Sequence, residues 1–405
     1  MGTTNRLRML GLSVLTGGAL AFGAVAASAN GSTGARAAER PPCASGEVPR
    51  GDGCVSRTVA ARKINGIVAR TMRSEKLKSA LVSVRVGSRE VVTSARGTSM
   101  TGVPARTNMR FRIGNVAIAY LGTLALLLQE DGVIDLDEPI SKYVRGQRDG
   151  DRITPRMLLQ STAGNRDFVG YPPFNRAFYD DVFRRFGDRQ LYGYVLAQPP
   201  ACEPGECWRY SHWNYHVIGT VLSRAAGRPL KTLLERRVLK PSGLSRTAAF
   251  STARIPKPVL HSFTRERGVY EDSTFWNPSW TLARGSVMTS TIRDVARSAR
   301  VMGSGRLLSE RSYAEFTAPD TAGLEPWGSD LYYGLGIVSN NSWLTQAPAF
   351  AGYFGAMGYL PSREISIAVA STKREAAEPD PNVSNVIMRR ISAYMAPGEG
   401  LGRVS

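Results

Sequence analysis

Tyr210-Ser211-His212 places a phenol and an imidazole two residues apart. The phenol donates or accepts a hydrogen bond, and an unperturbed imidazole changes charge near neutral pH. Tyr210 and His212 are therefore a candidate acid–base pair. The same side chains serve equally well as the plain lining of a binding cleft. What is missing beside them is an activated nucleophile. Ser74, Ser79, Ser83, Ser88 and Ser94 have no lysine three residues later, and the chain contains neither Gly-x-Ser-x-Gly nor His-Glu-x-x-His. Ser211 directly precedes His212, and neighbours in sequence point apart. With His212, His216 and His261 as the only histidines, no ligand spacing suits zinc, and no motif calls for a cofactor.

The four cysteines fall in two close pairs, Cys43 with Cys54 and Cys202 with Cys207. An even count suggests disulfides, and pairing by proximity is the simplest of the three connectivities. The N-terminus points the same way. Arg6 and Arg8 precede an apolar run, and Ala27-Ser28-Ala29 supplies the small residues of a signal-peptidase site, so residues 1–29 are expected to be removed. No later stretch is long and apolar enough to span a bilayer. The expected protein is exported, with no transmembrane segment after signal removal.

The formal charge is +19, from 52 Lys and Arg against 33 Asp and Glu. Removal of Arg6 and Arg8 leaves about +17. The basic residues are scattered, with no aromatic-studded basic patch, which argues against a nucleic-acid partner. An anionic cell-wall polymer is a candidate partner; a solvated Arg-rich surface with no partner explains the charge as well.

Apolar periodicity predicts helices over 58–77, 115–129, 292–302 and 383–395, the second ending at the stop signal Glu130-Asp131-Gly132. Strands are expected at 81–86 and 90–94, joined by a Gly87-Ser88 turn, and at 333–338 and 365–370. Strands at both ends with helices between them imply an α/β (α+β) fold. One antiparallel sheet is built from both termini and flanked by helices, with a helical sub-domain inserted. The expected division is a disulfide-pinned leader over 30–57 and a single domain over 58–396, followed by a tail. Within the domain, 58–112 and about 281–396 form the mixed part and about 113–280 the helical part.

Several landmarks occur in an order that resembles the serine β-lactamase and penicillin-binding-protein family, which includes class C β-lactamases, D-alanyl-D-alanine carboxypeptidases and related esterases. They are Phe111-Arg112-Ile113-Gly114 before the apolar helix, the run from Asp131 to Ile140, and the helix and turn ending in Ser161-Thr162-Ala163-Gly164. Further on come Pro204-Gly205 leading to Tyr210-Ser211-His212, Pro241-Ser242-Gly243-Leu244, Ser290-Thr291-Ile292-Arg293-Asp294 and Tyr333-Gly334-Leu335-Gly336. The resemblance covers roughly 58–395 and implies the β-lactamase/transpeptidase-like fold in a bacterial, extracytoplasmic protein.

The resemblance also implies where the chemistry should lie. The family attacks with a serine at the start of the apolar helix and a lysine three residues later. Asn115 and Ile118 stand there, a poor nucleophile and a side chain that accepts no proton. The second motif, Tyr-x-Asn, reads Tyr210-Ser211-His212. The third, Lys-Thr-Gly or His-x-Gly on a cleft-edge strand, is best matched by Tyr353-Phe354-Gly355, with Tyr353 in place of the cation; a one-residue shift would bring Gly352 into play. Ser161 and Ser211 would lie near the cleft, and a Cys202–Cys207 bridge would staple its rim. Three readings follow. The first is a non-catalytic binding or regulatory protein for a cell-wall peptide or related small molecule. The second is an enzyme rewired around Tyr210 and His212. The third is a serine hydrolase of esterase, carboxypeptidase or β-lactamase type with a displaced nucleophile.

Overall fold

The computed structural model describes residues 43–402, apart from 251 and 378–381. The expected signal peptide therefore lies outside the described residues. The chain first makes a small hairpin, Glu47–Arg50 with Gly53–Ser56, beside the Cys43–Cys54 disulfide. Helix Arg57–Ser74 follows, burying Ala60, Ile64, Ile67 and Val68 on one stripe.

One antiparallel sheet dominates. Its strands run in the spatial order Leu331–Tyr333, Val338–Asn340, Trp343–Gln346, Tyr353–Leu360, Ile365–Lys373, Leu77–Val86, Arg89–Met100 and Val103–Pro104. The short strand Ala349–Phe350 pairs with Tyr353–Leu360 off this path. The seam between the chain's two ends is Ile365–Lys373 against Leu77–Val86, with Ile367 opposite Val84 and Val369 opposite Val82. Alternation along the strands divides two cores. Ala356, Ile365, Ile367 and Val369 pack with Arg57–Ser74 and Val383–Met395. Met357, Tyr359, Ala368 and Ala370 face the other way, into the cluster that holds helices Val116–Glu130 and Ile292–Gly303.

The fold class is as expected, and two local expectations change. The first helix stops at Ser74, and the following strand starts at Leu77 and not at residue 81. Its early residues are masked in sequence by polar Ser79, which is fully buried with Oγ 2.7 Å from Thr372 Oγ1 on the neighbouring strand. The expected strand over 333–338 is instead a turn between Leu331–Tyr333 and Val338–Asn340. Gly336 there has φ +83°, and a Cβ on it would lie 2.8 Å from the Ile118 carbonyl oxygen. The turn lies flat on the apolar helix, and a side chain at 336 would lift it off.

Helix Val116–Glu130 is buried on all sides from Val116 to Leu128, so it has no solvent face and forms the centre of the larger core. Asp131 and Gly132 (φ +68°) end it, with Gly132 N–H donating to Gln129 O at 2.9 Å. Midway along, a Cβ on Gly122 would meet the Leu335 carbonyl oxygen at 1.9 Å. Gly→Ala inside a helix ordinarily stabilises by about 1 kcal/mol. Here Gly122→Ala should instead destabilise by about 1–3 kcal/mol, because backbone cannot give way as a flexible side chain can. Denaturant unfolding checks the sign; a raised midpoint would contradict the close packing of 334–336 on this helix.

Candidate functional site

The apolar helix begins under tight backbone contacts. Gly114 has φ +43°, and a Cβ on it would lie 2.7 Å from Pro348 Cβ. Asn115 follows at the N-cap position, but its side chain makes no capping hydrogen bond. It turns instead to Tyr210, whose hydroxyl lies 3.5 Å from Asn115 Oδ1, a long hydrogen bond. Ile118, one turn on, is 0% exposed and belongs to the core.

Tyr210 and His212 lie at the entry to helix His212–Ala225, their rings 5.0 Å apart and nearly perpendicular. Ser211 caps that helix: its Oγ accepts from Trp213 N–H and donates to the Arg166 carbonyl oxygen at 3.2 Å. Fully buried and committed in this way, Ser211 has no free hydroxyl to attack with. Ser161 is buried too, with Oγ 2.9 Å from the Tyr215 hydroxyl.

Asp167 is the residue that sequence reasoning missed. Its Oδ1 accepts the His212 backbone N–H at 3.2 Å, and its Oδ2 lies 2.9 Å from His212 Nδ1. One carboxylate thus meets both the positive end of the helix and the imidazole. Because a carboxylate only accepts, Nδ1 carries the proton and Nε2 is left with its lone pair when the ring is neutral. Trp280 at 5.3 Å and Phe168 at 6.0 Å pack against the ring. Asp167 stands 45 residues from His212 in sequence, so no spacing rule links them. The available signal was its place just beyond the 161–164 turn.

That turn is strapped down by the second disulfide loop. Gly205 N–H donates to Thr162 O, and Ala201 N–H to Gly164 O, each at 2.8 Å. A Cβ on Gly164 would sit 2.3 Å from the Cys202 carbonyl oxygen. The Cys202–Cys207 bridge spans 6.2 Å between Cα atoms and closes this loop next to Trp208 and Tyr210.

Behind Tyr210 the hydroxyls of Ser161, Tyr215 and Tyr333 form a chain, with Tyr215 and Tyr333 2.8 Å apart. Trp208 packs on Tyr333 at 5.7 Å and on Trp327 at 4.7 Å. Burial pushes the Tyr210 phenol well above its usual range, with Tyr333 and Asp167 adding to the effect and the Asn115 hydrogen bond opposing it. Burial also raises Tyr333, to about 12. These phenols are therefore protonated donors at neutral pH, and Tyr210 can act as an acid but not as a phenolate base.

The third-motif residues do not join this group. Tyr353 is 3% exposed, and its hydroxyl donates to the Leu260 carbonyl oxygen at 2.5 Å, which makes it a core residue and not a cleft wall. Gly355 does keep a close approach, since a Cβ there would lie 2.8 Å from Pro348 Cγ, but it sits behind the segment that faces Gly114. Gly352 packs on the Phe263 backbone. The segment that reaches the start of the apolar helix is 346–348. Its Gln346 Nε2 donates to Gly336 O at 2.8 Å, and its Pro348 touches both Gly114 and Gly355. The sequence match failed because it sought a glycine, and the glycines here serve Pro348. Among the described residues no cluster of three or more His, Cys, Asp or Glu is placed to hold a metal ion.

The state of Tyr210 can be measured directly. The phenolate absorbance difference between the wild type and Tyr210→Phe should stay near zero at pH 10, where an ordinary tyrosine is half ionised. An ordinary titration at Tyr210 would show the hydroxyl to be in water.

Comparisons with known proteins bear on the family and the fold. A model of the family described as Beta-lactamase matches residues 64–387. The chain is 25% identical over 233 residues to a putative penicillin-binding protein, PbpX, of Bacillus subtilis, covering 57% of this chain and 55% of that protein. The chain thus spans little more than half the length of that relative. It is 23% identical over 333 residues to a putative D-alanyl-D-alanine carboxypeptidase of Salmonella paratyphi A, covering 71% of this chain and 75% of that one. Among solved structures, a D-stereospecific amidohydrolase from Streptomyces sp. superposes with a TM-score of 0.71 at 24% identity, over 84% of this chain and 98% of that one. D-amino acid amidase from Ochrobactrum anthropi SV3 gives 0.70 at 20% identity, over 82% and 97%. At such identities the two structural likenesses speak for the fold. The family match extends from the first helix to the last, and the chain belongs to the Beta-lactamase family.

Proposed function

We propose that this is an exported, non-acylating member of the family that binds a peptide or small molecule ending in a D-amino acid, such as a cell-wall peptide, without cleaving it through an acyl-enzyme. The observation that carries this reading is the pair at the start of the buried helix. Asn115 stands where the family's serine is expected and is engaged by the Tyr210 hydroxyl, while Ile118 fills the lysine position and is sealed in the core. A carboxamide is a poor nucleophile, and an aliphatic side chain takes no proton. The ligand class is suggested by the relatives, which are named for D-alanyl-D-alanine and D-amino acid substrates. The two disulfides are compatible with an oxidising, extracytoplasmic site, as the expected signal peptide requires.

One observation favours a second reading. Asp167 holds His212 with Nε2 available, as a general base is held, and Tyr210 is a donor beside it. A water molecule could lose its proton to Nε2 and attack a carbonyl, with Tyr210 protonating the leaving group.

Titrating the protein with a peptide ending in D-alanyl-D-alanine, read by the fluorescence of Trp208 and Trp327, separates the two. Saturable binding with the peptide recovered intact is expected, weakened about tenfold in Tyr210→Phe through the loss of one hydrogen bond. Turnover of the peptide or of its ester, abolished in Tyr210→Phe and His212→Gln alike, would replace the binding reading with the rewired one.

A further inference from the structure

The side of the sheet away from Asn115 is covered by the helices Arg57–Ser74 and Val383–Met395. Neither helix contains an acidic residue. Arg57, Arg62, Lys63, Arg70 and Arg73 are exposed on the first, and the second adds half-buried Arg389 and exposed Arg390. Arg390 Nη1 donates to Thr71 Oγ1 at 2.7 Å, which brings a third guanidinium to the turn that carries Arg70 and Arg73. Among the described residues none of these cations forms an ion pair. The nearest acids in sequence, Asp52 and Glu75, flank the first helix outside it, and Asp52 is bridged to Arg363 at 2.7 Å.

This arrangement works against the fold. Arg57 sits in the first turn, at the positive end of the helix dipole, and that turn has no acid. Arg70 and Arg73 are like charges at i, i+3 on one helix face. A bound polyanion would offset both costs. The first helix is roughly 27 Å long at 1.5 Å per residue, enough to follow several charges of an extended chain.

We propose that this two-helix face docks on a linear phosphodiester polymer of the cell-wall kind, holding the protein with its cleft free on the opposite side of the sheet. Five of the seven cations lie along the first helix, and the last helix adds Arg389 and Arg390 because both helices pack on the same sheet face. A nucleic acid is the less favoured polyanion, because the face offers no stacking platform. Its half-buried Tyr394 is already covered by Arg50, whose guanidinium lies 4.7 Å from the ring centroid.

The test uses the full exported protein and fluorescently labelled poly(glycerol phosphate), with anisotropy followed across a salt series. Log affinity should fall linearly with log salt. Replacing Arg62, Lys63, Arg70 and Arg73 together by Gln, a comparable helix former, should weaken binding at least roughly tenfold at ~0.1 M salt. It should also flatten the slope by roughly 3, at roughly 0.7 per lost contact. A control replacing exposed Arg184, Arg189, Arg228 and Lys240 by Gln removes the same charge elsewhere and should bind as the wild type does. Circular dichroism verifies that both variants are folded. Equal weakening in the two variants would reduce the effect to net charge. Absence of binding, or tighter binding of a single-stranded oligonucleotide of equal charge, would likewise overturn the proposal.

Discussion

The geometry of the site depends on backbone-to-helix contacts along the buried helix Val116–Glu130. Gly114 against Pro348, Gly122 against Leu335 and Gly336 against Ile118 each leave no room for a Cβ. Together they clamp the helix between the 334–336 turn and the 346–348 segment, and so place Asn115 at one spot beside Tyr210. A helix without a solvent face cannot rotate to relieve a misfit. The residue at 115 is therefore presented to the cleft whatever its chemistry.

Around that point the cleft is built from donors and not from a nucleophile. Buried phenols keep their protons, and the hydroxyls of Ser161, Tyr215 and Tyr333 are used on one another. His212 is the one polar group in the assembly with a strong partner on one nitrogen and a lone pair directed elsewhere. Its orientation depends on Asp167, and Asp167 depends on the turn that the Cys202–Cys207 loop holds in place. The disulfide thus bears on the imidazole through backbone hydrogen bonds rather than through direct contact.

Much of this was legible in the sequence. The periodicity of 383–395 matches the observed helix, and the order of landmarks gave the family. Asn115, Tyr210 and His212 converge because each sits at the start of a helix whose first residues were recognisable. What was hidden has physical reasons. Asp167 acts across 45 residues, and sequence carries no mark of that separation. Tyr353 looked like a motif residue because a glycine follows two positions later, yet that glycine makes room for Pro348 and the tyrosine packs inward to Leu260. The strand over 333–338 was misread because apolar residues of a turn packed on a helix look like those of a strand. The full basic face was invisible because the two helices that build it lie more than 300 residues apart, joined by Arg390 and Thr71.

The account stands on the absence of an acylating hydroxyl in this cleft. Intact-mass measurement of the wild-type protein after incubation with excess benzylpenicillin tests that most directly. An unchanged mass is the expected result. A gain of one penicilloyl group, mapped to any serine of the cleft, would contradict it and make the protein an ordinary serine acylase of its family.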